Sequence, residues 1–400
     1  MTGDRKPTLG VGLVGHAFMG RAHSQAWRSV AAFFDPPYTP VMAALAGRSR
    51  ERAAAAAAAL GWAAVETDWK ELLRRDDVQL VDICTPGDSH AEIAVAALEA
   101  GKHVLCEKPL ANSVAEAETM VAAARAARAR GVRAMVGFNY RRVPAVALAR
   151  RLVAEGRLGR IHHIRAQYLQ DWIVDPEFPL VWRLDAQKAG SGALGDIGAH
   201  IIDTAQFITG DRLVGVTAIT ETFVKERPLA ADAAGLDATA EGGAARGPVT
   251  VDDAALFIGR TAGGALASFE ATRFANGRKN ALRIEINGSA GSLAFDFEAM
   301  NELWFYDGTG ETATAGFRRI LVTEPEHPYA GAWWPPGHGL GYEHTFTHQV
   351  ADLLTAIADG TDPEPSFEDG LQVQRVLDAV ARSAASGSGW TPIEDPQPTA

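Results

Sequence analysis

The chain has 400 residues, 47% of them hydrophobic and 22% charged, which leaves room for two domains and a sizeable core. Its formal net charge of -11 argues against nucleic acid or an anionic membrane surface as a partner. No apolar run approaches the roughly 20 residues that span a bilayer, and the opening MTGDRKPT holds no signal-peptide core, so the expected location is the cytoplasm.

In chain order, residues 9–14 form a short apolar strand. Gly15-His16-Ala17-Phe18-Met19-Gly20 follows, and then a helical stretch from Arg21. Strand, glycine turn and helix in succession make a dinucleotide-binding start. The usual G-x-G-x-x-G departs at Ala17, where a glycine normally lets the backbone approach the pyrophosphate; one methyl shifts a cofactor without excluding it. Residues 33–40 are a turn-rich insertion. A second strand, 41–46, ends at Gly47-Arg48-Ser49-Arg50. An alanine-rich helix spans 51–60, and a short helix lies at 71–73. A strand at 78–84 runs into Thr85-Pro86, and helix 90–100 stops at Gly101. Strand 103–106 leads into Glu107-Lys108-Pro109. Helix 114–130 stops at Gly131, and strand 133–138 follows. This alternation predicts an α/β fold: a right-handed, doubly wound parallel sheet, a Rossmann domain over residues 1–140. Cys84 and Cys106 lie in apolar strand-like runs and read as buried, reduced thiols; no metal site is expected.

The pattern then changes. Strands are expected at 161–169, 214–224, 251–258, 265–271, 282–286, 292–297 and 302–306, many joined by short glycine-containing connections that suit antiparallel neighbours. Helices at 193–208 and 342–358 are expected to cover one face of that sheet. Residues 230–247 read as a surface loop, and 391–400 as a Pro-rich tail. Residues 141–400 thus form an α+β domain for substrate binding and oligomerisation, with a large open, mainly antiparallel sheet; its last helices are also able to pack back on the Rossmann domain.

Two stretches carry chemistry. Lys108 falls at the carboxyl edge of a parallel sheet, where α/β sheets bind ligands, and Pro109 restricts the residue before it. Asp196 and His200 are four apart and share one helical face. A lysine, a carboxylate and an imidazole acting together can take a proton off a hydroxyl while a hydride leaves the same carbon.

Taken in order, Gly15-x-x-Phe18-Met19-Gly20, Thr85-Pro86, Asp88-Ser89-His90, Glu107-Lys108-Pro109 and Gly192-x-x-x-Asp196-x-x-x-His200 resemble the Gfo/Idh/MocA family of sugar and inositol dehydrogenases. Asn139-Tyr140-Arg141-Arg142, Tyr168-Leu169-Gln170-Asp171-Trp172 and Trp182-Arg183 are similar to family members that oxidise anhydrosugars. The resemblance implies an NAD(P)-dependent enzyme that moves a hydride between a secondary hydroxyl of a pyranose or anhydrosugar, at C3, and nicotinamide. It implies Lys108 on the reacting hydroxyl, His200 as base and Asp196 on a substrate hydroxyl. Asp203 either steadies the His200 ring or is a structural acid. Gly15, Ala17, Phe18 and Met19 are expected along the pyrophosphate and nicotinamide. Thr85, Pro86, His90 and Asn139 are placed in the cofactor crevice, Glu107 at the nicotinamide ribose, and Trp172, Trp182 and Arg183 at the nicotinamide end. Tyr140, Arg142, Tyr168, Gln170, Asp171 and Tyr342 are the expected sugar contacts, with His338 overhanging; each has a purely structural alternative. Gly47, Arg48, Ser49 and Arg50 replace the acidic residue that usually holds an adenosine ribose, so NAD or NADP is expected, with the arginines tilting toward NADP. The implied assembly is a homodimer or homotetramer through the C-terminal sheet. Inositol dehydrogenase, a redox-neutral NAD-dependent glycosidase and a non-catalytic regulator are the competing readings.

Overall fold

The structure, a computed structural model, describes residues 6–229 and 245–394. It divides into two units, Met1–Arg142 with Gly341–Leu371, and Val143–Leu340 with Gln372–Ala400. In the first, β1 (Thr8–Val14), α1 (Phe18–Phe33), β2 (Thr39–Ala46), α2 (Arg50–Leu60), β3 (Ala64–Glu66), α3 (Trp69–Leu73), β4 (Leu80–Ile83), α4 (His90–Glu99), β5 (His103–Cys106), α5 (Val114–Arg128) and β6 (Ala134–Val136) alternate. The strands lie in the order β3-β2-β1-β4-β5-β6, all parallel. Val11, Leu13, Leu80, Val81, Ile83, Val104 and Leu105 are fully buried, as strands covered on both faces require. The order reverses beside β1, so the carboxyl ends of β1, β4 and β5 frame the switch point where ligands bind. The three-residue β3 was not expected; it is too short to leave a pattern.

The second unit contains α6 (Pro144–Ala154), β7 (Ile161–Leu169), α7 (Ala186–Ala189), α8 (Ala199–Thr209), β8 (Leu213–Glu221), β9 (Glu226–Pro228), β10 (Arg246–Pro248), β11 (Ala254–Thr261), β12 (Leu266–Thr272), β13 (Ala281–Gly288), β14 (Gly291–Asp296), β15 (Glu302–Asp307) and β16 (Arg318–Leu321). The chain then forms α9 (Tyr342–Asp359), α10 (Phe367–Ala385) and β17 (Thr391–Pro392). Nine strands make one sheet in the order β16-β15-β14-β13-β7-β12-β11-β8-β17. Its pairs are antiparallel except β7 with β12. Burial alternates along β11, so one face is packed and the other exposed.

Three expectations are corrected. Helix α9 was expected on the C-terminal sheet, but its Phe346, Val350, Leu353, Leu354 and Ile357 share a core with Trp27 and Val30 of α1 and Leu13 of β1. An apolar stripe specifies that a helix is buried, not against what. The second is to the domain division: residues 141–142 and 341–371 group with the first unit, in line with the return of the last helices that the sequence also allowed. The third concerns the helix expected over 193–208, which begins as a π-helical turn, Leu194–Gly198, before α8. Of the loop expected at 230–247, residues 230–244 lie outside the described residues, and Arg246 and Gly247 belong to β10. Residues 395–400 of the expected tail are also outside them.

Candidate active site

In the first unit, Gly15 adopts φ +94 at the end of β1, a conformation that strains any side chain. Gly20 lies so close behind it that a Cβ there would sit 2.2 Å from the Gly15 carbonyl. The two glycines bring the first turn of α1 over β1. Ala17 precedes that helix without a side-chain cap, and no acidic residue lies in its first turn. The amide donors of that turn are therefore left for an anion, as in dinucleotide folds. The Ala17 methyl and the Phe18 ring face outward, and Met19 is half-buried. At the end of β2, Arg48, Ser49 and Arg50 are exposed beside half-buried Gly47, and the Ser49 hydroxyl caps α2. Glu66, the nearby acid on β3, is paired with Arg75 at 2.9 Å. These features fit a dinucleotide, with two exposed cations just past the end of β2.

The loops after β4 and β5 are fastened together. His90 is buried, with Nδ1 3.0 Å from the Pro109 carbonyl and Nε2 2.9 Å from the Thr85 carbonyl. Expected to touch cofactor, it is instead a strut that fixes the loops bearing Thr85, Pro86 and Lys108. Ser89 Oγ lies 2.7 Å from Thr85 Oγ1. Glu107 also departs from its expected place on a ribose. Its carboxylate is buried, with Oε1 3.0 Å from His23 Nε2, while Oε2 accepts the Lys108 amide at 3.3 Å. Lys108 itself is half-buried at the carboxyl end of β5.

The short turn Asn139–Arg142 corrects two more assignments. Asn139 Nδ2 donates to Thr345 Oγ1 at 2.8 Å. The buried guanidinium of Arg142 binds Asp352 at 3.0 Å and the Glu364 carbonyl. Both side chains tie the turn to α9 and the segment after it. Tyr140 meets Tyr342 edge-on at 6.3 Å, and Tyr342 stacks on Phe18 at 6.1 Å. Three residues expected at the site, Phe18, Tyr140 and Tyr342, are thus brought into one aromatic group beside the start of α1.

In the second unit, Asp196 sits in the π turn and His200 in the first turn of α8. Such turns widen a helix locally and recur at functional sites. Asp252, not anticipated from sequence, holds the turn: its carboxylate accepts the Gly192 and Leu194 amides, both at 2.8 Å. Arg273, fully buried, places Nη1 3.6 Å from Asp196 Oδ2 and its guanidinium 5.4 Å from the Trp172 ring. His200 is buried edge-on against Tyr168 at 5.9 Å. Asp203 is buried three residues further along α8. Tyr168 donates to Asn280 Oδ1 at 2.6 Å, Gln170 donates to the same oxygen at 2.8 Å, and Trp172 donates to Gln170 at 3.1 Å. This row joins Tyr168 and Gln170, expected at the sugar, to Trp172, expected at the nicotinamide end, and adds Asn280. Asp171 is corrected: it accepts from Gly277 at 3.0 Å and pairs with Lys279 at 2.8 Å, and Lys279 holds its carboxyl below the usual range. Arg183 stacks over Trp182 at 4.3 Å. His338 is exposed, its Nδ1 on the Pro335 carbonyl at 2.8 Å.

Residues 9–138 match the model of an oxidoreductase family with an NAD-binding Rossmann fold, Gfo/Idh/MocA, and residues 146–294 match that family's C-terminal domain. The chain belongs to the Gfo/Idh/MocA oxidoreductase family. A levoglucosan dehydrogenase from Pseudarthrobacter phenanthrenivorans is 44% identical over 388 residues, 96% of this chain and 98% of the relative. A structure of levoglucosan dehydrogenase in complex with NADH and levoglucosan is 43% identical, with TM-score 0.90, over 98% of this chain and 100% of that one. An oxidoreductase domain protein from Kribbella flavida is 68% identical, with TM-score 0.93, over 97% and 100%. As a Gfo/Idh/MocA member the chain is an NAD-dependent oxidoreductase. Among its described residues no helix is long and apolar enough to cross a membrane.

Proposed function

We propose that the protein is a sugar dehydrogenase that oxidises a secondary hydroxyl, at C3, of levoglucosan or a closely similar pyranose. The observation that carries this reading is the likeness over nearly the whole chain to a structure holding NADH and levoglucosan. Bound NAD or NADP supplies the carbon that accepts the hydride. In this reading Gly15, the open first turn of α1, Thr85 and Pro86 hold the nucleotide. Lys108 donates a hydrogen bond to the reacting oxygen, and His200 takes its proton. Asp196 accepts from a sugar hydroxyl, with Arg273 Nη1 3.6 Å from its carboxylate. Tyr168, Gln170 and Tyr342 orient the ring, since orientation is most of what the protein adds to hydride chemistry.

The exposed Arg48 and Arg50 support acceptance of NADP beside NAD. A second copy of the chain is proposed on the open sheet face. Ile219, Leu256, Ile258 and Trp304 are exposed there, with Arg165 and Glu285 among them, so the patch can meet its own two-fold copy. Two buried free thiols, Cys84 and Cys106, support a reducing, cytoplasmic setting.

The test is nucleotide reduction by the purified protein with levoglucosan, glucose and myo-inositol. Levoglucosan should give the highest kcat/KM, and its product a keto carbon at C3 by NMR. Preference for an inositol, or cleavage of an aryl glycoside without net nucleotide reduction, would replace this reading.

A further inference from the structure

Beneath the loop that carries Lys108 lies a buried charge network that the mechanism above does not use. Asp82, in the middle of β4, is fully buried. Its carboxylate receives Trp27 Nε1 at 2.7 Å and lies 2.9 and 3.0 Å from His23 Nδ1. The Cys84 thiol is 3.6 Å from the same group. The opposite nitrogen of His23 is 3.0 Å from Glu107, and Phe346 closes the ring's flank at 5.3 Å. Both nitrogens of one imidazole thus face carboxylates, which accept and cannot donate when ionised. Only the doubly protonated ring satisfies both, and it places a cation between two anions that are otherwise costly to bury. Space for the Glu107 carboxylate is reserved by Gly137, where a Cβ would stand 2.7 Å from Oε1.

We propose that His23, anchored by Asp82, is a positioning residue for hydride transfer: its imidazolium holds the Glu107 carboxylate, which in turn holds the backbone of Lys108. The burial of His23 works against its proton, and the charge of Asp82, the Cys84 thiol and the hydrogen bonds to both together outweigh that, holding the pKa well above the ordinary 6.5. The His23, Asp82 and Cys84 atoms are close enough to suggest a metal. With both ring nitrogens already on carboxylates, the hydrogen-bonded network accounts for the same closeness.

The inference rests on the dehydrogenase reading, and two measurements separate them. The first is 15N NMR of histidine-labelled wild-type protein, which needs no substrate. Both His23 nitrogens should remain protonated from pH 6 to pH 9; a bare nitrogen at neutral pH would overturn the proposal. Stoichiometric zinc in the purified protein, lost in His23→Gln, would also overturn it. The second is steady-state kinetics of folded His23→Gln and Asp82→Asn beside wild type. Each should lower kcat by about 10- to 100-fold and leave the sugar KM within about 3-fold. His23→Gln removes the cation from between the two carboxylates, and its pH profile should differ from that of wild type. Asp82→Asn lets His23 lose its proton, so activity is lost as pH rises. That ionisation does not belong to wild type. Reduced kcat with an unchanged pH profile would mean a merely structural role and would overturn the proposal. A wild type that reduces no nucleotide defeats the dehydrogenase reading, and the NMR result then decides the state of His23.

Discussion

Lys108 stands at the carboxyl end of β5 with its backbone fixed by Glu107 on one side and, through Pro109, by His90 on the other. Lys108→Ala should lower kcat by about 10²- to 10⁴-fold while nucleotide affinity, measured by fluorescence titration, stays within a few-fold. Near-normal turnover would remove the lysine from the mechanism. Arg48→Ala with Arg50→Ala should cost NADP about tenfold or more in kcat/KM and leave NAD nearly unchanged; an equal loss for both would refute a role in choosing the nucleotide. At this scale the sequence showed its motifs and hid its partners. Glu107, His90, Asn139, Arg142 and Asp171 were all read as ligand contacts because they are polar and close to strand ends. Each instead makes hydrogen bonds or ion pairs with the protein's own backbone or side chains. One signal was available for the buried network: Asp82 interrupts the run Val81-Asp82-Ile83-Cys84, and a buried acid requires a donor or a cation.

The π turn and α8 depend on Asp252, which satisfies two amides at the start of the segment bearing Asp196 and His200. Asp252→Ala should destabilise the protein by about 1–3 kcal/mol through the orphaned donors. It should also lower kcat in enzyme that remains folded. Chemical denaturation with parallel kinetics tests both, and unchanged stability would sink the capping role. The strands of the large sheet and the βα alternation of the first unit were legible because their periods are regular. The π turn was not, since one widened turn leaves the apolar spacing intact. The partner of α9 was left open between the large sheet and the Rossmann domain, although its amphipathic stripe was plain. Leu354, fully buried in that stripe, should cost about 2–5 kcal/mol on replacement by Ala.

Across the whole molecule, stability should depend on pH through buried and half-buried histidines of the first unit. Burial, with Arg133 adding to it, pushes the His103 pKa down to about 4, and burial pushes that of His348 down to about 3. Both rings are neutral in the fold but bind protons near 6.5 once unfolded. Their contribution is full above pH 6.5 and is lost as pH falls toward the folded values. His23 has the opposite sign, contributing most below 6.5 and less as pH rises toward its raised pKa. The two depressed rings outweigh the raised one, and the lowered pKa of Asp171 adds to the loss in acid. The apparent Tm should therefore fall between pH 7 and about pH 4.5; a flat or rising Tm would contradict these assignments. Light scattering tests assembly: Ile258→Glu, on the exposed sheet face, should shift an oligomer toward monomer and leave a monomer unchanged.

The proposed reaction removes a hydride from C3 of an anhydropyranose, and levoglucosan deuterated at C3 puts that step to the test. Nucleotide reduction should be slowed by a primary isotope effect, with the deuterium recovered in the reduced nicotinamide. Reduction without transfer of that label would place the chemistry at another carbon, and no reduction with either NAD or NADP would contradict the account.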